Sequence, residues 1–134
     1  MSAAEAFYDT NVLLYLLSAE PIKADCAESL LAQGGCISVQ VLNEFAAVAN
    51  RKLGLSWADI REVLDVVRAV CKVDPVTVET HDRAITIAER YGFNFYDALI
   101  VAAALLAGCS TLYSEDLQAG QKIEGTLRIV NPFD

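Results

Sequence analysis

Histidine is almost missing from this chain: His81 is the only one. The four cysteines, Cys26, Cys36, Cys71 and Cys109, are widely spaced and form no C-x-x-C pair. Protein zinc sites draw on closely paired Cys or on several His, so the sequence argues against one. No secretory leader is evident, because the first eight residues carry no Lys or Arg and Asp9 interrupts the apolar start. A cytoplasmic protein is therefore expected, and its cysteines read as free, buried thiols. Basic residues are scarce, ten against eighteen acidic, for a formal net charge of −8. That balance disfavours nonspecific nucleic-acid binding, which relies on Lys and Arg to neutralise phosphates. An enzyme acting on nucleic acid would need a bridging metal or a local basic patch. With 3 Pro, 7 Gly and no long polar tract, the composition argues against disorder.

What the sequence has is apolar residues, 54% over 134 positions. That is enough for one well-buried domain spanning residues 1–134, with an apolar surface expected for oligomerisation. The chain is organised around Tyr96 to Asp116, YDALIVAAALLAGCSTLYSED. Ala98 to Ala107 is predicted to be a helix that is apolar all round, hence buried. At about ten residues it is half the length of a membrane span. Thr111 to Tyr113 is a predicted strand. Asp97 stands just before the helix and Asp116 just after the strand. A buried carboxylate is costly unless it is paired, hydrogen-bonded or bound to a metal.

The rest of the chain alternates. Ala6 to Tyr8 is a first strand ending at Asp9, and Val12 to Leu17 is helical. Glu20-Pro21 marks a loop, and Lys23 to Gln33 is a helix ended by Gly34-Gly35. Cys36 to Val39 is a second strand. Val41 to Lys52 is a helix with Val41, Leu42, Phe45, Val48 and Ala49 on one face, Glu44 in its first turn and Arg51 two turns further along. Ser56 to Asp59 resembles a capping box and opens a helix reaching about Cys71. Val73 to Val76 is extended. Thr77 caps a helix from Val78 to Tyr91, closed by Gly92. Leu117 to Gly120 is a loop, and Leu127 to Val130 is a last strand.

Strands alternating with helices predict a parallel sheet covered on both faces. All strands then point their carboxyl ends to one edge, where open parallel sheets bind ligands. Asp9 and Asp116 follow strands, and Glu44 and Asp97 sit at helix starts, so all four acids are expected at that edge. Each alone has a structural reading: Asp9 as a helix cap, Glu44 as a first-turn acid facing the helix dipole. Together they would repel one another without a cation. Oxygen ligands without His or Cys select Mg²⁺ or Mn²⁺ over zinc. Such an ion binds through a few carboxylates and substrate phosphates, which points to metal-assisted hydrolysis of a phosphodiester.

Asp9-Thr10-Asn11-Val12-Leu13, Asn43-Glu44-Phe45, Tyr96-Asp97-Ala98-Leu99-Ile100 and Ser114-Glu115-Asp116-Leu117 resemble, in order and spacing, the PIN-domain ribonucleases. Within these, the sequence is most similar to the bacterial VapC-type toxins, and the resemblance covers nearly the whole chain. It implies a Rossmann-like PIN domain, with a short central parallel sheet flanked by helices, and a Mg²⁺- or Mn²⁺-dependent endoribonuclease. Asp9, Glu44, Asp97 and Asp116 would form an acidic quartet, with Asp9 and Asp97 the principal metal ligands. Asn11 would hold the first acid, Ser114 would stand near the site, and Glu115 is the alternative to Asp116. The resemblance also implies an RNA substrate, a homodimer and a cognate antitoxin that covers the site. It implies no membrane. Arg51, Lys52 and Lys122 are the candidates to hold RNA.

Other readings stay open on the residues alone. PIN domains also serve RNA processing outside toxin pairs. A phosphatase or phosphotransferase using Asp9 as nucleophile would need a D-x-D pattern, and Asn11 stands where the second Asp would be. A non-catalytic module could use an acidic pocket only to receive a basic segment.

Overall fold

In the computed structural model, which describes residues 6–134, the chain enters through strand β1, Ala6–Tyr8. The expectation about the chain's start rests in part on residues 1–5, which lie outside the described residues. Helix α1, Thr10–Leu14, follows at once. The helical pattern runs on to Leu17, but its end tightens into a 3-10 turn, Tyr15–Leu17, a common way to finish a short helix. Helix α2, Pro21–Ala32, starts at Pro21 and not at Lys23, because the fixed φ of proline suits a first helical position.

Strand β2, Gly35–Ser38, and helix α3, Val39–Arg51, meet at Ser38, whose hydroxyl accepts the Val41 N–H. That cap corrects two expectations. Val39 is helical and does not end the strand, and Glu44 lies in the second turn of α3, beyond the reach of a first-turn dipole effect. Helix α4, Trp57–Val70, is capped by Ser56 and runs directly into strand β3, Cys71–Asp74. Cys71 thus begins a strand, earlier than the extended piece expected from Val73. Helix α5, Val78–Tyr91, opens on a capping box between Thr77 and Thr80 and closes on the left-handed Gly92. Helix α6, Phe95–Leu106, starts at Phe95 because Asn94 caps it. Asp97 therefore lies inside the first turn, not ahead of it. Strand β4 is Thr111–Tyr113 and strand β6 is Leu127–Val130. Between them strand β5, Lys122–Ile123, is too short to leave a periodic signal.

The six strands form one sheet in the order β3-β2-β1-β4-β6-β5. All neighbours are parallel except β5 with β6, so β5 departs from the expected common direction. Phe7, Tyr8, Ile37 and Leu112 are all buried. Successive strand residues face opposite sides, so the centre of the sheet is covered on both. Ala98 to Ala104 of α6 are buried without interruption, as its all-apolar sequence requires. Among the described residues none of the four cysteines is in a disulfide; Cys36, Cys71 and Cys109 are buried, whereas Cys26 is only half-buried. Among the described residues no helix is long and apolar enough to cross a membrane.

The strand order has one consequence for ligands. From β1 the chain steps one way to β2 and β3, then returns to place β4 on the other side of β1. The carboxyl ends of β1 and β4 thus flank the point where the winding reverses, where open α/β sheets form a crevice. Asp9 leaves β1 there, with its N–H donating to Tyr113 O at 2.9 Å, and Ser114 leaves β4 beside it.

Candidate active site

Asp9 is 3% exposed and its carboxylate is held by three donors. Oδ1 accepts the Thr10 N–H at 2.7 Å, while Oδ2 accepts the Ser114 hydroxyl at 2.7 Å and Asn11 Nδ2 at 3.2 Å. The helix-cap reading of Asp9 is thus borne out through Oδ1, while Oδ2 is tied to Ser114 and Asn11. Asn11 reaches further: Nδ2 also donates to Asp116 Oδ2 at 3.2 Å, and Oδ1 accepts the Glu115 N–H at 3.1 Å. Ser114 is fully buried, and its Oγ accepts the N–H groups of Asp116 and Leu117, each at 3.1 Å. Asn11 and Ser114 thus knit the end of β1 to the turn after β4, and orient Asp9 and Asp116 together.

Glu44 arrives from α3. Its Oε1 accepts the Thr10 hydroxyl at 2.7 Å and its Oε2 accepts Gln40 Nε2 at 3.1 Å. Asp97 arrives from the first turn of α6. The capping residue Asn94 takes its N–H at 3.0 Å and donates Nδ2 to Asp97 Oδ2 at 2.7 Å. Glu115 turns aside. It accepts the Tyr15 hydroxyl and pairs with Lys23 at 3.1 Å, and those contacts, the Tyr15 bond first, hold its carboxyl below the usual range. The alternative acid is thus committed elsewhere, while Asp116 shares Asn11 with Asp9.

The charges feel one another. Burial pushes the Asp9 carboxyl up to about 6, against the Ser114 and Thr10 hydrogen bonds, and repulsion from Asp97 and Asp116 adds to the rise. Asp97 is also raised, by burial first and by Glu44 next, with Asp116 contributing. Asp9, Glu44, Asp97 and Asp116, drawn from four segments of sequence, therefore share one electrostatic neighbourhood. Among the described residues no three of them are already drawn together as a ligand set for an ion; the arrangement is open. The donor set is oxygen throughout. Arg51 lies on the same face of α3 as Glu44 and lines a pocket with it.

Four contributors escape a reading by sequence. Thr10 looks like a helix opener, yet its hydroxyl bridges to α3. Gln40 precedes Glu44 by one helical turn, a spacing that hints at contact but does not single out the pair. Lys23 and Tyr15 meet Glu115 only in the folded chain.

The sequence matches the description of the PIN domain over residues 6–122. Solved structures share the fold. A toxin-antitoxin complex from Klebsiella pneumoniae superposes with a TM-score of 0.71 at 20% identity, covering 95% of this chain and 97% of that one. The Mycobacterium tuberculosis toxin VapC20, described as cleaving the sarcin-ricin loop, gives 0.68 at 23% identity over 83% and 89%. VapBC2 of Rickettsia felis, bound to a promoter DNA fragment, gives 0.67 at 20% identity over 92% and 96%. No significantly similar sequence was found among curated proteins. With a domain match that spans most of its length and the same fold in VapC toxins and VapBC complexes, the chain belongs to the PIN domain family.

Proposed function

We propose that this protein is a Mg²⁺- or Mn²⁺-dependent endoribonuclease of the cytoplasm, the toxin of a toxin–antitoxin pair. The observation that carries the reading is the buried Asp9 carboxylate, which shares the Asn11 amide with Asp116 and feels the charge of Asp97. Carboxylates so placed repel one another, and a cation between them relieves the repulsion. Asp9, Asp97, Asp116 and Glu44 would hold the ion through oxygen atoms. Mg²⁺ keeps several waters and needs only one or two carboxylates beside substrate phosphates, so an open arrangement suits it. When bound, the ion supplies positive charge for the scissile phosphate and acidity for the attacking water.

The chain's own residues do the rest. Ser114, Thr10 and Asn11 favour the ionised form of Asp9 by donating to it. Asn11 keeps Asp9 and Asp116 in register, and Asn94 steers Asp97. Arg51, on the Glu44 face of α3, would take a phosphate outside the acids. Asn11 stands where a phosphatase of the D-x-D kind would carry its second Asp, which disfavours that reading. Structures of toxin-antitoxin complexes among those sharing the fold support a cognate antitoxin. The exposed Ile22, Trp57, Val66 and Val78 offer apolar surface to it or to a second copy in a homodimer.

Purified protein incubated with total RNA in Mg²⁺, Mn²⁺ or chelator tests the reading, with the new ends sequenced. Discrete cuts that need metal and vanish in a still-folded Asp97→Asn are expected. Cuts that persist in chelator, or in a folded Asp97→Asn, would remove the site assignment. No cuts in RNA from any host would favour a binding module.

A further inference from the structure

The pocket that Arg51 shares with Glu44, about 460 Å³, is lined by Gln40, Asn43, Glu44, Ala47, Arg51 and Tyr96. Asn43, Ala47 and Arg51 follow at steps of four, so they form one stripe along α3, and all three are exposed. The small Ala47 at the middle of the stripe leaves the hollow. Opposite stands Tyr96, next to Asp97 on α6 and 62% exposed. A tyrosine so exposed at the mouth of a polar pocket is not core packing. Its ring is nevertheless braced: Phe95 meets it edge-on at 5.9 Å, and His81 meets Phe95 edge-on at 5.4 Å. Arg51 forms no ion pair among the described residues, and Glu44, the nearest acid of the pocket, has both oxygens engaged by Thr10 and Gln40.

We infer that this pocket is a nucleotide subsite, in which Tyr96 stacks the base of a nucleotide flanking the cleaved bond and Arg51 takes its phosphate. The inference rests on the endoribonuclease reading and deepens it. A chain of net charge −8 cannot hold a polyanion by overall electrostatics. A braced aromatic face provides affinity that does not depend on charge and tolerates any base. Asn43 offers both a donor and an acceptor to a base edge. Glu44 joins the pocket to the acids, so the stacked nucleotide adjoins the one whose phosphate reaches Asp9 and Asp97.

The test is equilibrium binding of labelled hexaadenylate, and of a hexamer of abasic ribose-phosphate units, with Ca²⁺ present as an oxygen-seeking cation. Wild type, Tyr96→Phe, Tyr96→Ala, Ala47→Phe and Arg51→Ala are compared, each also assayed for metal-dependent cleavage of total RNA. Wild type should prefer hexaadenylate over the abasic strand by about 10-fold, the scale of one stacked base. Tyr96→Phe should keep that preference. Tyr96→Ala should abolish it while binding the abasic strand as wild type does, and Ala47→Phe, which fills the hollow that Arg51 lines, should weaken both strands. Arg51→Ala should weaken both strands and lower the salt dependence by about 0.7 in the log–log slope. A wild type that cuts RNA but shows no base preference, or whose preference survives Tyr96→Ala, overturns the subsite alone. A wild type that neither binds nor cuts RNA overturns the ribonuclease reading and the subsite with it. RNA binding untouched in Tyr96→Ala, with loss of a protein partner instead, would reassign the pocket to that partner.

Discussion

Replacing Ser114 by alanine removes one oxygen atom and unties the end of β1 from the turn after β4. The hydroxyl is fully buried, donates to Asp9 Oδ2 at 2.7 Å and accepts the amides of Asp116 and Leu117. A hydrogen bond to a charged group is worth about 1.5–3 kcal/mol, and a buried amide left without its acceptor costs about 1–3 kcal/mol. Asp116 is exposed, so water can reach its amide; Leu117 is buried. The Asp9 bond and the Leu117 amide together put the loss at about 3–4 kcal/mol. For a chain of 134 residues that is a fall in Tm of about 10 °C. The loss should depend on pH. The Ser114 bond favours the ionised form of Asp9, so its removal should be felt most above about 6, where Asp9 is charged, and less at lower pH. Urea unfolding of wild type, Ser114→Ala, Asp9→Asn and the double variant, at an acidic and a mildly basic pH, measures all of this. In the Asp9→Asn background the Ser114→Ala loss should shrink by about 1.5 kcal/mol. A loss below about 1 kcal/mol that is equal at both pH values and additive in the double variant would refute the argument.

The metal-free protein should become less stable as pH rises from near 4 through about 6, because the folded state raises Asp9 from 3.8 to about 6 and so binds the proton more tightly than the unfolded chain. The two-unit shift corresponds to about 3 kcal/mol at most, and thermal melts in chelator across that window should show it, with Mn²⁺ restoring stability at neutral pH but hardly at pH 4. A flat profile, or equal Mn²⁺ shifts at both ends, would contradict it. Gly35→Ala should destabilise by more than about 2 kcal/mol, since its φ is +133° and an added Cβ would lie 2.8 Å from Ala6 O and 2.7 Å from the Tyr8 ring. A urea midpoint within error of wild type would show that β1 and β2 can part at low cost.

The strand–helix alternation was visible in sequence because it is a matter of period: apolar residues recur at helical or strand spacing whatever they pack against. The apolar Ala98 to Ala104 announced its own burial, and Thr77, Gly92 and Ser56 announced helix ends, since capping is local chemistry. The family resemblance came from the same short stretches around Asp9, Glu44, Asp97 and Asp116. Boundaries failed where two local signals competed. Asn94 opens α6 three residues ahead of Asp97, Ser38 took Val39 into α3, and β5 exists only because β6 is there to pair with it. What tertiary structure alone decided is how the acids are held. That Thr10 steadies Glu44, that Ser114 and Asn11 tie Asp9 to Asp116, and that Lys23 and Tyr15 draw Glu115 away are contacts between residues far apart in the chain. Hydrogen bonds of that kind follow from the order of the strands in the sheet and leave no period in the sequence. The raised Asp9 carboxyl has the same origin: desolvation and like charge belong to the folded molecule, not to an aspartate in a strand-ending motif.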